Sequence, residues 1–181
     1  SNSNIDLKEG SPGLPPCQVA CPIHQEVREY LRLLASGDFD RSLEAIKRAN
    51  PLSAVCGTIC AHHCEDECRR QNVDEPLSIR GLKRAAVEYG MADFPTAVEK
   101  DPGKKVAVIG SGPAGLIAAF DLALQGCAVT VFEREKFLGG APRNFIPLYR
   151  LPDETVERDI ENLRNLGVEF KTGVEFGTDI D

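Results

Sequence analysis

Apolar positions recur at helical spacing along the first half of the chain. In residues 26–35, Val27, Tyr30, Leu31 and Leu34 mark one face of a helix. Gly37-Asp38 breaks it, and Asp38 or Asp40 is placed to cap a second helix that turns Leu43, Ile46 and Ala49 inward. Asn50-Pro51 ends that helix, because a residue before proline is driven out of the helical region. A third helix is predicted over 77–89, with Ile79, Leu82, Ala86 and Val87 facing in. Residues 5–16 are rich in Pro and Gly and predict irregular structure. The chain opens Ser1-Asn2-Ser3-Asn4 without Met, so residues 1–16 are expected to be disordered or tag-derived.

The pattern changes in the second half. Residues 94–104 carry two Pro and one Gly and read as a linker. Then come a buried strand over 105–109, an Ala-rich helix over 113–125 and a strand over 128–132. After a loop, a helix over 154–166 places Val156, Ile160, Leu163 and Leu166 on one face, and a last strand covers 168–170. This β-α-β-loop-α-β order is the first half of a doubly wound fold. The fold class is therefore α followed by α/β: a small all-helical domain over 17–93, the linker, and a partial Rossmann-like domain over 105–181.

Composition sets limits on partners. A chain of 181 residues with 42% hydrophobic and 27% charged residues is an ordinary soluble globular protein of one or two domains. The net charge of −7 argues against nucleic acid, which wants clustered Lys and Arg. No apolar run approaches the ~20 residues of a membrane span, and no secretory segment is visible, so a cytoplasmic location is expected.

Cysteine carries the chemistry of the helical unit. Of seven cysteines, Cys56, Cys60, Cys64 and Cys68 repeat every fourth position, and Cys17 and Cys21 precede them, with Pro22 next to Cys21. Closely spaced thiolates hold iron–sulfur clusters. On one ideal helix the four ladder sulfurs would drift ~40° per step and span ~18 Å, too far for one cubane. Either the segment is irregular around Cys56-Gly57, or the ladder serves two sites, with Cys17 and Cys21 as the complement. Disulfides fit poorly, since the count is odd and no secretory signal is present. Zinc usually takes paired C-x2-C knuckles, whereas every short spacing here is three residues. His24, His62 and His63 are its remaining candidate ligands, and solvated histidines near helix ends are the plainer reading. Unligated buried thiols are a further alternative. Cys127, at the start of a strand, reads as a small buried residue. A thin helical core of this size is credibly stabilised by metal ligation.

Gly110-Ser111-Gly112-Pro113-Ala114-Gly115 lies between strand and helix, where a dinucleotide pyrophosphate binds. Gly110 permits the tight turn, Gly112 lets the backbone approach the pyrophosphate, and Gly115 lets helix and strand pack closely. The helix N-terminus supplies free N–H groups to the phosphates. Glu133, at the end of the next strand, is the acid that binds ribose hydroxyls and disfavours the extra phosphate of NADP. An empty Rossmann-like domain is the bland alternative.

These motifs together resemble a known family. Cys17-x3-Cys21-Pro22-Ile23-His24, Asn50-Pro51-Leu52, Cys56-Gly57-x2-Cys60-x3-Cys64-Glu65-x2-Cys68-Arg69-Arg70 and Ile79-Arg80-Gly81-Leu82-Lys83-Arg84 follow the pattern of the glutamate synthase small subunit and related FAD-dependent pyridine nucleotide oxidoreductases. Dihydropyrimidine dehydrogenase carries a similar module. Gly139-Gly140 and Ile146-Pro147-x-Tyr149-Arg150-Leu151-Pro152 extend the resemblance through the second unit. It implies two [4Fe-4S] clusters in the helical domain and FAD in the next. The cofactor would lie on Gly110, Ser111, Gly112, Pro113, Ala114, Gly115, Glu133 and Arg134, with Gly140, Ala141 and Arg150 lining the flavin. Arg150 is equally well read as a solvated residue.

Two departures qualify what the resemblance implies. Family members place a C-x2-C where this chain has Glu9 and Pro12, so Cys17 and Cys68 lack companions. The other cluster would use Cys21, Cys60 and Cys64 with a fourth ligand near position 83, which here is Lys83; Cys56 is the substitute. One cluster is therefore expected, with two possible. Lys83, Arg69, Arg70 and Arg84 are candidate counter-charges or simple surface charges. The family also continues into an NAD(P)H domain, so the chain is expected to be a fragment, without NAD(P)H activity of its own. The implied role is electron relay between NAD(P)H-reduced FAD and a larger subunit or acceptor protein. The alternative is a non-catalytic docking domain whose cluster, or zinc, is structural.

Overall fold

The computed structural model describes residues 13–91 and 101–181. The helical half opens with a single turn, α1 (Pro16–Val19), started by Pro15 and Pro16, whose fixed φ suits a first turn. Residues 1–12, with Glu9 and Pro12, lie outside the described residues. Helices α2 (Val27–Ala35) and α3 (Phe39–Lys47) pack together, and the Asp38 carboxylate caps α3 by accepting from the Arg41 N–H at 3.1 Å. Inward positions differ in detail from the pattern. Leu33 is buried on α2 where Leu31 and Leu34 are half-buried, and Ala45 is buried on α3 where Ala49 is exposed.

The cysteine ladder is not one helix. Helix α4 (Ser53–Ile59) carries Cys56 and ends at Cys60, which turns extended (φ −55°, ψ 143°). His62 is left-handed (φ 51°), and a short α5 (His63–Asp66) restarts with Cys64. The break therefore falls at residues 60–62, not at Cys56-Gly57. Gly57 stays helical because it serves packing: a Cβ there would sit 3.2 Å from the Arg84 Cα of helix α6 (Ile79–Tyr89). On α6 the expected Leu82 is exposed and Lys83 is buried instead.

The second half is a parallel sheet in the order β1-β2-β3. Strand β1 (Asp101–Ile109) pairs with β2 (Cys127–Glu133) from Lys105↔Ala128 to Ile109↔Phe132, with an irregularity between Asp101 and Lys105. The strand thus starts within the expected linker, most of which lies outside the described residues. Strand β3 (Glu169–Thr172) adds to the other side of β2. Helix α7 (Pro113–Leu124) and helix α9 (Asp153–Asn165) cover one face, burying Leu116, Phe120, Ile160 and Leu163 against Val129 and Val131. A short α8 (Ala141–Phe145) follows the Gly139-Gly140 turn. Leu52 and Val55, at the start of α4, belong to this same core. Among the described residues no helix is long and apolar enough to cross a membrane.

Candidate functional site

The break at Cys60 divides the ladder between α4 and α5. Cys64 lies within electrostatic reach of Cys21 and Cys60, Cys56 of Cys60, and Cys17 of Cys68. Burial pushes the Cys64 thiol up to about 11, reinforced by Cys21 and opposed by the Lys83 ammonium. Cys56 and Cys17 are raised for the same first reason. Cys68 is buried at the start of a 3-10 turn (Arg69–Asn72). Among the described residues, no three His, Cys, Asp or Glu side chains converge as they stand into a set that could hold an ion. The thiols are linked in smaller associations, Cys64 with Cys21 and Cys60, Cys56 with Cys60, and Cys17 with Cys68, and Cys17 and Cys64 pack on one core.

The surroundings of the thiols suit a sulfur-rich anionic group. The hydroxyl of Tyr30 is buried without a hydrogen-bond partner, with Cys64, Cys21 and Cys17 as its strongest electrostatic neighbours, and the buried Asn50 side chain turns to the Cys56 thiol. A buried donor without an acceptor costs about 1–3 kcal/mol, so the Tyr30 hydroxyl calls for an acceptor in the thiol region. The His62 N–H already donates to Cys60 Sγ at 3.4 Å. Lys83, 8% exposed, adds a positive charge beside Cys56 and Cys64. The other candidate cations lie outside: Arg69 is exposed, Arg70 pairs with Asp74, and Arg84 pairs with Glu88. The histidines turn to other neighbours. His24 Nδ1 meets the Gln18 carbonyl at 3.2 Å, His62 faces Glu65 and His63 faces Asp66. Cys127 is a core residue of β2.

The Gly-rich turn has the form its glycines require. Gly110 is left-handed (φ 92°), which favours glycine. A Cβ on Gly115 would lie 2.1 Å from the Gly110 carbonyl oxygen, so helix and strand close only around glycine. A Cβ on Gly112 would meet nothing within 4 Å, which leaves its backbone open to a ligand. The second turn packs on the first: a Cβ on Gly140 (φ 59°) would strike the Gly112 Cα at 2.6 Å. Pro113 begins α7 without an N–H of its own, and Ala114 and Gly115 present the helix's first free N–H groups at the same mouth.

Glu133 takes on more than the sequence assigned to it. Its Oε2 accepts from the Ser111 N–H at 2.8 Å and the Ser111 hydroxyl at 2.6 Å, and Oε1 accepts from the Glu135 N–H at 3.0 Å. Ser111 Oγ in turn accepts from the Gly139 N–H at 3.1 Å. Burial works to raise the carboxyl, but these hydrogen bonds outweigh it and hold Glu133 below its ordinary range. The carboxylate thus fastens the Gly-rich turn to the end of β2 and, through Ser111, to the Gly139-Gly140 turn. Arg134 is exposed and pairs with Glu135, Ala141 is exposed directly after the Gly139-Gly140 turn, and Arg150 is exposed.

Sequence reasoning missed one residue. Asp159, 1% exposed on α9, accepts from the Ala54 N–H at 3.0 Å and the Val55 N–H at 2.9 Å. It caps the helix that carries Cys56 and Cys60, a helix whose own N-cap residue, Leu52, offers no side-chain acceptor. The one signal in the sequence was an acid interrupting the apolar face of 154–166.

Known proteins repeat both halves. Residues 12–93 match the family described as dihydropyrimidine dehydrogenase domain II, 4Fe-4S cluster, and residues 108–164 match the NAD(P)-binding Rossmann-like domain. The chain is 38% identical to the NADP(+)-dependent formate dehydrogenase subunit beta of Moorella thermoacetica, over 91% of this chain and 27% of that protein. It is 39% identical to the NADPH-Fe(3+) oxidoreductase subunit beta of Geobacter sulfurreducens, over 91% and 25% respectively. It is 35% identical to the glutamate synthase [NADPH] small chain of Bacillus subtilis, over 93% and 36%. The chain spans well under half the length of each of these relatives.

Proposed function

We propose that this chain, which belongs to the oxidoreductases that join a 4Fe-4S module of the dihydropyrimidine dehydrogenase domain II type to a Rossmann-like dinucleotide-binding domain, relays electrons between a reduced FAD and a partner subunit or acceptor. The observation that supports this reading is the break of the ladder at residues 60–62, with Cys64 in electrostatic reach of Cys21 and Cys60 and packed on the core that holds the unpartnered Tyr30 hydroxyl. In the same fold the cluster helix α4 shares a core with the dinucleotide unit.

A cluster passes single electrons and a flavin exchanges pairs for singles, so the cofactors supply the chemistry and the protein tunes it. Cys21, Cys60 and Cys64 are the proposed ligands of one [4Fe-4S] cluster, with Cys56 as the fourth. Lys83 offsets negative charge at Cys56 and Cys64. Cys17 and Cys68 form the remnant of a second site. The turn at 110–115 holds the FAD pyrophosphate through the free amides of Gly112, Ala114 and Gly115, with Gly140, Ala141 and Arg150 alongside. Glu133 retains lone-pair capacity on Oε1 for a ribose hydroxyl after fastening the turn. Reduction by NAD(P)H and delivery to a larger subunit are proposed for the whole protein.

Iron, sulfide and flavin quantitation on anaerobic protein tests this. About four irons per chain with equal sulfide and a broad absorption that bleaches with dithionite are expected. Eight irons would restore Cys17 and Cys68 to a second cluster. A cluster that never bleaches would make it structural, and absence of iron would end the reading.

A further inference from the structure

Tyr30 is fully buried in the core of the helical unit, together with Val27, Leu33, Ile46, Ile79 and Ala86. Its backbone carbonyl accepts from the Ser42 hydroxyl at 2.9 Å, but its own hydroxyl has no partner. Cys17 and Cys64 pack against this same core, and Cys64, Cys21 and Cys17 are the phenol's strongest electrostatic neighbours. A phenol usually brings its O–H to a partner when it is buried, since phenylalanine fills the same space without the polar cost. Here the neighbours are apolar side chains, thiols and the Glu65 carboxylate, whose Oε1 accepts from the Arg80 N–H at 2.8 Å and whose Oε2 faces His62 Nδ1 at 3.3 Å, so sulfur is the acceptor that remains.

We infer that the Tyr30 hydroxyl is a hydrogen-bond donor to sulfur at the centre held by Cys21 and Cys64, and that it sets the reduction potential of that centre. The inference rests on the proposed iron–sulfur reading. A donor to sulfur stabilises the more negatively charged, reduced state, so its loss moves the potential downward. The contribution is specific to the hydroxyl, because the ring alone is enough to fill the core.

The test compares the anaerobically reconstituted full chain with its Tyr30→Phe variant. Iron and sulfide contents should match, while the midpoint potential of Tyr30→Phe is more negative. Resonance Raman spectra in D2O should reveal a deuterium-sensitive Fe–S stretch in the wild type that is weakened in the variant. A second variant reverses the sign without emptying the core. In a Tyr89→Phe/Tyr149→Phe background, where both changed residues are exposed, incorporation of 3-fluorotyrosine makes Tyr30 a stronger donor and should raise the potential. Unchanged potentials in both proteins at full iron content would overturn the inference and leave the iron–sulfur reading standing. Absence of iron from the wild type would remove both.

Discussion

Gly112 and Gly115 stand three residues apart in one turn and are required for different reasons. Alanine at Gly115 would drive its Cβ to 2.1 Å from a backbone oxygen, an obstacle that cannot rotate away. Gly115→Ala should therefore cost at least the ~1–3 kcal/mol of ordinary overpacking and lower the melting temperature with or without dinucleotide. Gly112 has φ −68°, which alanine tolerates, and open space above it. Gly112→Ala should stay within about 0.5 kcal/mol of wild-type stability yet weaken FAD binding. Thermal denaturation beside a flavin titration checks both, and equal effects in the two assays would reject this division. These roles were legible because the spacing of the glycines encodes them. The engagement of Glu133 was not, since Ser111, 22 positions earlier, becomes its partner only when the turn closes on β2. Among the cysteines, Cys21→Ala, Cys60→Ala and Cys64→Ala should each abolish iron binding, whereas Cys127→Ala, in the strand core, should retain it. Iron retained by Cys60→Ala and lost by Cys127→Ala would reverse the assignment.

At the level of elements, periodicity read the faces of long helices and failed where a packing partner decided the outcome. The face of α9 was fully legible through Val156, Ile160, Leu163 and Leu166. On α6 the pattern favoured Leu82, but Lys83 turns inward beside Cys56 and Cys64. The turns α1 and α8 are too short to carry a period. Asp159 interrupts the apolar face of α9 and is the cap of α4. Burial pushes its carboxyl up to about 7, against the pull of the Val55 and Ala54 amides and of Lys47. A carboxyl raised in this way binds its proton more tightly in the folded state than unfolded. Its contribution to stability is full below the unfolded value of ~4 and is lost as pH rises through about 7. Asn cannot titrate, so the destabilisation caused by Asp159→Asn should be larger at pH 5 than at pH 8. Urea denaturation of both proteins at the two pH values measures it, and a gap that widens toward pH 8 would contradict the raised value.

For the whole molecule, α4 determines how the two halves depend on each other. Its outer turn carries Cys56 and ends at Cys60, while its first turn places Leu52 and Val55 in the core of the dinucleotide unit and receives the Asp159 cap. One helix therefore belongs to the thiol site and to the sheet's hydrophobic core. Ligation of Cys56 and Cys60 would fix α4, and a fixed α4 supports α9 and the sheet behind it. The helical unit has a small core of its own, centred on Tyr30 and Ile46, so metal binding and folding should be linked there. Calorimetry of the iron-loaded protein should accordingly give one cooperative transition, and removal of iron should lower the melting of the sheet as well as of the helices. Val55→Ala, which deletes methyl groups buried between the halves, should cost about 1–3 kcal/mol and destabilise both together. Hydrogen exchange resolves the two halves directly: protection of β2 amides should fall when iron is stripped. If β2 stays as protected as in the loaded protein while α4 and α5 open, the halves fold independently, and the shared helix does not couple them.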